Sequence, residues 1–196
     1  GNYNFIDNIL EARKVLITQF GGTITTIAKD VKIQVEFNPA KVKEYRLIGY
    51  ENRMLNAEDF NDDKKDAGEL GSGHCVTALY EIIPADSEES KTKIDDLKYA
   101  GNSTATSYLD LATVKFRYKG VRKDDTTSTM ISKVVYPVTR TEDKISTNMK
   151  LAAAAAEFGM LLRESKEKGE ATFASAISLA TQAKTNDDDG YIAGLI

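Results

Sequence analysis

The chain has 196 residues, of which 41% are hydrophobic and 29% charged, enough for one domain with a sizeable core. Its 30 acidic residues are interleaved with 26 basic ones and give a formal net charge of −4, so the basic face of a nucleic-acid-binding protein is not expected. No apolar run approaches the roughly 20 residues that cross a bilayer, and no transmembrane segment is predicted. Cys75 is the single cysteine, so no internal disulfide can form.

The first periodic segment predicts an amphipathic helix. Between residues 9 and 20 the apolar side chains recur every three or four positions, which is the spacing of one helix face. Two consecutive glycines follow, as is common where helices end. The apolar positions are Ile9, Ala12, Leu16 and Phe20, and the glycines are Gly21 and Gly22.

A change to two-residue alternation predicts strands in the next part of the chain. Over residues 31–37 apolar and polar side chains alternate, as in a strand with one buried and one solvated face. Asn38-Pro39 interrupts this pattern, and residues 42–50 form the next predicted strand. We expect the two strands to pair like a hairpin.

Three more strands are predicted at residues 75–83, 109–118 and 130–138. The last two are expected to form a hairpin through the loop at residues 121–128. Residues 51–73 are polar and predict a long loop, with a helical turn at residues 57–60. A second long connection, exposed to solvent, is predicted at residues 85–105, which contain few large apolar side chains.

Two helices are predicted near the C-terminus, at residues 147–163 with Thr147 as N-cap and at residues 172–183. The second helix carries Phe173, Ile177 and Ala180 on one face, and an acidic turn at residues 187–190 precedes a short apolar end. Strands at hairpin spacing, with helices only at the ends of the sequence, predict an α+β fold. We expect an antiparallel β-sandwich with an N-terminal helix and two or three C-terminal helices.

Three long stretches resemble bacterial von Willebrand factor A-type proteins. They are TIAKDVKIQVEFNPAKVKEYRLIGYENR at residues 26–53, EDFNDDKKDAGELGSGHCVTALYEI at 58–82 and LAAAAAEFGMLLRES at 151–165. The proteins that they resemble carry a C-terminal domain of unknown function after their A domain. The resemblance covers most of the chain and is weakest over residues 87–107.

The resemblance implies that residues 1–22 are the last strand and helix of an A domain, and that residues 23–196 are the C-terminal domain of unknown function. Many such proteins look like exported lipoproteins, which implies an extracytoplasmic location in the bacterial cell envelope and a role in adhesion. A domains bind ligands through a divalent cation held by an Asp-x-Ser-x-Ser motif, which would lie upstream of Gly1. No cofactor is therefore expected in this chain. Its expected partners are its own upstream A domain and an unidentified protein or glycan.

One loop offers weak candidates for metal ligands. Asp59, Asn61 and Asp63 repeat the first three ligand positions of an EF-hand calcium loop. Lys64 and Leu70 stand where that loop requires Gly and Glu. The segment is therefore either an irregular divalent-cation site or a solvated turn, and the sequence favours the turn.

No residues are predicted to be catalytic, and the chain is not expected to be an enzyme. His74 and Cys75 are adjacent, but neighbours in a strand point to opposite faces, so they are not expected to form a nucleophile–base dyad. Residues 124–128 superficially match the A-domain metal motif as Asp-x-Thr-x-Ser. They follow a charged run rather than a buried strand, so they are interpreted as a hairpin loop.

Two functional hypotheses follow. The first is a non-catalytic interaction or structural module that supports or relays ligand binding by the A domain, with the helix at residues 9–19 as the coupling element. The alternative is a self-standing domain that binds glycan or protein through residues 51–73 or through an exposed sheet face.

Overall fold

The computed structural model describes residues 5–21, 25–50, 54–88, 109–138, 144–185 and 187–196. The chain divides into two compact units. The sheet unit comprises Gly1–Val76 and Tyr80–Pro137, and the helical unit comprises Thr77–Leu79 and Val138–Ile196. Most of the predicted connection at residues 85–105 lies outside the described residues.

The described strands form two sheets. They are β1 Thr26–Phe37, β2 Val42–Ile48, β3 Gly68–Gly71, β4 Leu79–Pro84, β5 Ala112–Lys119 and β6 Thr129–Val135. Four strands pair in the order β3-β1-β5-β6, and β2 pairs with β4 in a second sheet. Each pairing in the four-stranded sheet is antiparallel. The α+β class is thus confirmed, while the sandwich arrangement stays a prediction.

The predicted hairpin between the first two strands is wrong, because β1 and β2 belong to different sheets. The Asn38 side-chain amide donates to the carbonyl of Asp110 at 2.8 Å, and its backbone N–H donates to the carbonyl of Leu111 at 2.9 Å. These bonds hold the end of β1 to the segment before β5. The β5–β6 hairpin is confirmed, with an unbroken register from Ala112↔Val135 to Tyr118↔Thr129.

Two other boundaries were predicted incorrectly. Residues 51–73 are predicted as a long loop with one helical turn, but they also contain β3, which pairs Gly68 with Val31 and Gly71 with Thr26. The strand expected from residue 75 begins at Leu79. A four-residue strand containing two glycines has too little side-chain alternation to be detected, and its backbone bonds to β1 alone define it. The predicted helical turn is confirmed as a 3₁₀ turn at Glu58–Phe60.

The register gives the four-stranded sheet an apolar face and a charged face, because successive residues in a strand point to opposite sides. On the apolar face, the ring of Phe37 at the end of β1 lies 4.6 Å from that of Tyr45 on β2 and 5.4 Å from that of Tyr80 on β4. Burial raises the pKa of the Tyr80 hydroxyl. The charged face carries Gln34 and Glu36 of β1 and Lys115 of β5, together with Lys32, Arg117 and Lys119.

The N-terminal helix is confirmed, but its apolar stripe is not buried. Helix α1 spans Ile9–Arg13 and continues as a π-helical segment, Lys14–Thr18. Ile9 is 82% exposed and Leu16 59% exposed. Gly21 is described, whereas Gly22, the second glycine of the predicted stop, lies outside the described residues.

The helical unit contains α2 at Thr147–Leu162, α3 at Phe173–Ala183 and α4 at Tyr191–Leu195. Helices α2 and α3 pack against each other. The N-cap of α2 is Ser146, whose hydroxyl accepts from the N–H of Met149, and not Thr147. Helix α3 begins at a capping box between Thr172 and Ser175.

The face predicted for α3 is only partly correct. Ala180 is 2% exposed, but Phe173 and Ile177 are 53% and 46% exposed. The other buried positions of α3 are Ala176 and Ala183. The buried positions of α3 are thus alanines, whereas Phe173 is half exposed and its ring lies 6.3 Å from that of Phe158 on α2.

Candidate functional site

A polar region of the sheet unit with many hydrogen bonds fastens residues 57–67 to the charged face of the sheet. We call it the loop cluster: these residues together with Asp30, Lys32, Arg117, Lys119 and Ser128. Lys32 is only 4% exposed. Its ammonium group donates to the backbone carbonyl of Asp59 at 3.0 Å and to that of Asp62. A buried ammonium group is costly unless it is hydrogen-bonded, so the loop and the lysine depend on each other.

An ion pair forms the second attachment. The Nζ atom of Lys119 lies 2.7 Å from Oδ2 of Asp30 and also donates to the backbone carbonyl of Asp63. The other carboxylate oxygen of Asp30 accepts from the N–H of Ala67 at 3.3 Å. The hydrogen bond from Lys119 lowers the pKa of Asp30, and the same bond raises the pKa of Lys119.

The backbone at Asp30 explains how its side chain reaches the loop. Its φ is +50°, in the left-handed region that Asp tolerates better than most residues. The pairing of β1 with β5 is irregular between Lys29 and Lys32. Such irregularities bend a strand and redirect a side chain, and here the Asp30 carboxylate is brought to Lys119 and Ala67.

Arg117 provides the third attachment. Its guanidinium carbon lies 5.4 Å from the ring centroid of Phe60, and Phe60 is buried. Its two terminal nitrogens donate to Oδ1 of Asn61 at 3.0 Å and to Oγ of Ser128 at 2.9 Å. Arg117 therefore holds the loop by an aromatic contact and a hydrogen bond, and joins it to the start of β6.

Asp63 completes the cluster from the loop side. Its carboxylate accepts from the backbone N–H of Ser128 at 3.3 Å and from the Ser128 hydroxyl. These hydrogen bonds lower the pKa of Asp63. The β5–β6 hairpin and the loop are thus connected directly as well as through Arg117.

The three weak metal candidates lie close together in this loop, but each side chain has a partner from the protein. The Asp59 carboxylate lies 3.2 Å from Nζ of Lys65, while Asn61 and Asp63 accept from Arg117 and Ser128. Within the described ranges, no group of three or more His, Cys, Asp or Glu side chains is placed to hold a metal ion. Lys65, Arg117 and Ser128 are thus the described partners of these three side chains.

His74 and Cys75 lie outside the strand in which they were expected. Both are exposed, in the segment between β3 and β4. The backbone N–H of His74 donates to the carbonyl of Gly71 at 3.1 Å and closes the turn after β3. The argument from strand alternation therefore does not apply to this pair.

Sequence reasoning did not identify Asp30, Lys32, Arg117 and Lys119 as members of a site. One signal was present, because Arg117 and Lys119 are two residues apart in a strand and must share a face. A stretch rich in Asp, residues 58–66, was available to meet them. The pairing of β1 with β5, which adds Lys32 opposite Arg117, could not be read from local pattern.

No helix in the described part of the chain is both long and apolar enough to cross a membrane.

The chain belongs to the family described as "Uncharacterized protein YfbK, C-terminal", whose model matches residues 22–196. It is similar to a protein of Escherichia coli strain K12 described as "Uncharacterized protein YfbK". The two are 40% identical over 199 residues, which cover 100% of this chain and 33% of the relative. The chain thus spans about a third of the length of the curated relative that it matches. No solved structure matches the chain.

Proposed function

We propose that this chain is a non-catalytic interaction and structural module of a larger bacterial envelope protein of the von Willebrand A type, and that it supports or relays ligand binding by an A domain. The observation that carries the proposal is the exposed apolar stripe of residues 9–20. This stripe precedes the part of the chain that matches the C-terminal family, residues 22–196.

An exposed stripe of this kind indicates a missing contact. Isolated surface apolar residues are ordinary, but a contiguous set marks an interaction surface. Ile9, Leu16, Ile17 and Phe20 are all at least half exposed. In our proposal the stripe packs into the core of an upstream A domain, of which residues 1–22 are the last strand and helix.

The relative supports a multidomain protein, since two thirds of it has no counterpart in this chain. The envelope location, the lipoprotein character and the role in adhesion rest on the resemblance to A-type proteins. The divalent cation of the proposal belongs to the A domain and not to the loop cluster.

The proposal is tested by substituting the stripe in two lengths of the protein. Leu16→Asp should lower the melting temperature of a longer form that includes the upstream region, because it places a carboxylate in the proposed interdomain core. The same substitution should leave the 196-residue chain unchanged. Thr18→Asp, at an exposed polar position of the same helix, is the matched control. Equal melting temperatures for the two variants of the longer form would contradict the packing role.

The relay is tested by hydrogen exchange in the longer form. Addition of a divalent cation to the A domain should change the exchange rates of residues 9–37, because helix α1 leads into β1. Unchanged rates over these residues would show that the module supports the A domain without relaying its state.

A second candidate is a self-standing domain that binds glycan or another envelope protein. It is favoured by aromatic side chains that project from the sheet unit, with Tyr45 and Tyr136 60% and 61% exposed. Binding of the 196-residue chain on a glycan array, lost in Tyr136→Ala but retained in Tyr191→Ala, would favour this candidate. An array without signal would contradict glycan binding and favour the supporting module.

A further inference from the structure

Among the described strands, β6 lies at the edge of the four-stranded sheet and carries exposed apolar side chains. It pairs with β5 along one side, and no other described strand pairs along its second side. All seven of its residues are exposed. Unpaired N–H and C=O groups along such an edge are a template for pairing with another chain.

The sequence of β6 carries one of the features that usually protect an edge, a single lysine, and lacks the others. Proteins block exposed edges with charges, prolines, bulges or very short strands. Lys133 is the single charged residue among the seven, TMISKVV, which contain no proline. The register with β5 runs without a bulge along the whole strand. The large apolar residues on it, Met130, Ile131, Val134 and Val135, all count among the exposed ones.

We propose that β6 pairs antiparallel with β6 of a second copy of this chain, so that two four-stranded sheets join across a twofold axis. The register that uses all seven residues places the axis at Ser132. Met130 of one copy then lies opposite Val134 of the other, and Lys133 lies opposite Ile131. Each exposed apolar side chain gains a cross-strand neighbour, and pairs of this kind stabilise sheets.

The position of Lys133 explains why two copies of this edge can pair in this register. With the axis at Ser132, the two copies of Lys133 are separated and neither faces a like charge. Moving the axis to Lys133 places two ammonium groups directly opposite each other, which is destabilising. A twofold axis perpendicular to the sheet also keeps the apolar faces on one side, so that Ile131 and Phe116 of both copies form one continuous surface.

The test is sedimentation velocity of the 196-residue chain from about 1 μM to about 1 mM, the range of weak specific association. We expect a reversible monomer–dimer equilibrium. Ser132→Asp should weaken it about fivefold or more, because two carboxylates meet at the axis. Within one copy the new carboxylate lies opposite Lys115, which suits the folded monomer. Ser178→Asp, at an exposed position of α3, makes the same change away from the edge and should have no effect.

A mixture provides the decisive measurement. Ser132→Asp and Ser132→Lys chains should form a heterodimer more tightly than either forms a homodimer, since opposite charges then meet at the axis. If a variant fails to fold, hydrogen exchange of the unsubstituted chain replaces it, and amides of residues 129–135 should be protected as concentration rises. A monomer at every concentration, or a dimer equally stable in Ser132→Asp, would overturn the proposal.

Discussion

The loop cluster and the N-terminal helix differ in the opposite way from what their hydrophobicity suggests. Residues 57–67 are mostly polar, yet Lys32, Arg117 and Lys119 hold them against the sheet. The stripe of residues 9–20 is apolar, yet its large side chains are exposed.

The difference teaches that a segment is held by the partners that it finds, and not by its hydrophobicity alone. The loop supplies carbonyl and carboxylate oxygens to three cations on one face of the sheet, of which Lys32 is buried. Hydrogen bonds to charged groups are among the stronger ones in proteins. The helix presents a surface whose stabilising partner must come from elsewhere.

The largest expected effect concerns Lys32. Replacing it in Lys32→Ala leaves the carbonyls of Asp59 and Asp62 without their donor, and should reduce the free energy of unfolding of the sheet unit by about 2–3 kcal/mol. Lys29→Ala, at an exposed position of the same strand, should change it by less than about 0.5 kcal/mol. Urea unfolding at pH 7, followed by tyrosine fluorescence, measures both. Equal losses in the two variants would mean that the loop is not held by Lys32.

An intermediate effect is expected from acid. The pKa values of Asp30 and Asp63 are lowered in the folded protein, so the folded state releases these protons more readily than the unfolded state. Their contribution to stability is complete above the unfolded value of about 4 and is lost as the pH falls through the lowered values.

Urea unfolding of the sheet unit at pH 7, 5 and 3 measures this loss. Asp63→Asn removes one of the two carboxylates, and we expect it to lose less stability between pH 5 and pH 3 than the unsubstituted chain loses. Asp124→Asn, at an exposed position of the neighbouring hairpin loop, is the control and should keep the full loss. A steeper loss for Asp63→Asn would show that the carboxylate is not stabilised in the folded state.

The smallest effect is expected at the helix. Leu16→Ala keeps a good helix former and removes a side chain that is already exposed, so the free energy of unfolding of the 196-residue chain should change by less than about 0.5 kcal/mol. Ile83→Ala, at a buried position of β4, should cost about 2–5 kcal/mol by comparison. A large loss for Leu16→Ala would mean that the stripe already has a partner within this chain, and the contrast with the loop would disappear.

The features predicted correctly from the sequence are those that depend on neighbouring residues alone. The helices at residues 147–163 and 172–183 follow from spacing and capping residues, and the β5–β6 hairpin follows from two alternating runs around a polar loop. The start of α2 was misplaced by one residue because Ser146 and Thr147 are both good N-caps.

What could not be predicted depends on distant partners. β1 pairs with β5 and β3 instead of its neighbour in sequence, and alternation alone does not say which strand lies beside which. The weak candidates Asp59, Asn61 and Asp63 were chosen by their spacing along the chain. Their actual partners, such as Arg117 and Ser128, are 56 and 65 positions away.

The central position of β1 has a consequence for the order in which the chain can fold. Glu36 of β1 and Lys115 of β5 form an ion pair at 2.7 Å although they are 79 positions apart in the sequence. Contacts of such long sequence separation slow folding, because a large loop must close before they form. During synthesis on the ribosome, the side of β1 that pairs with β5 therefore stays unpaired until β5 has emerged. The sheet unit is expected to mature late and to rely on protection from aggregation in that interval.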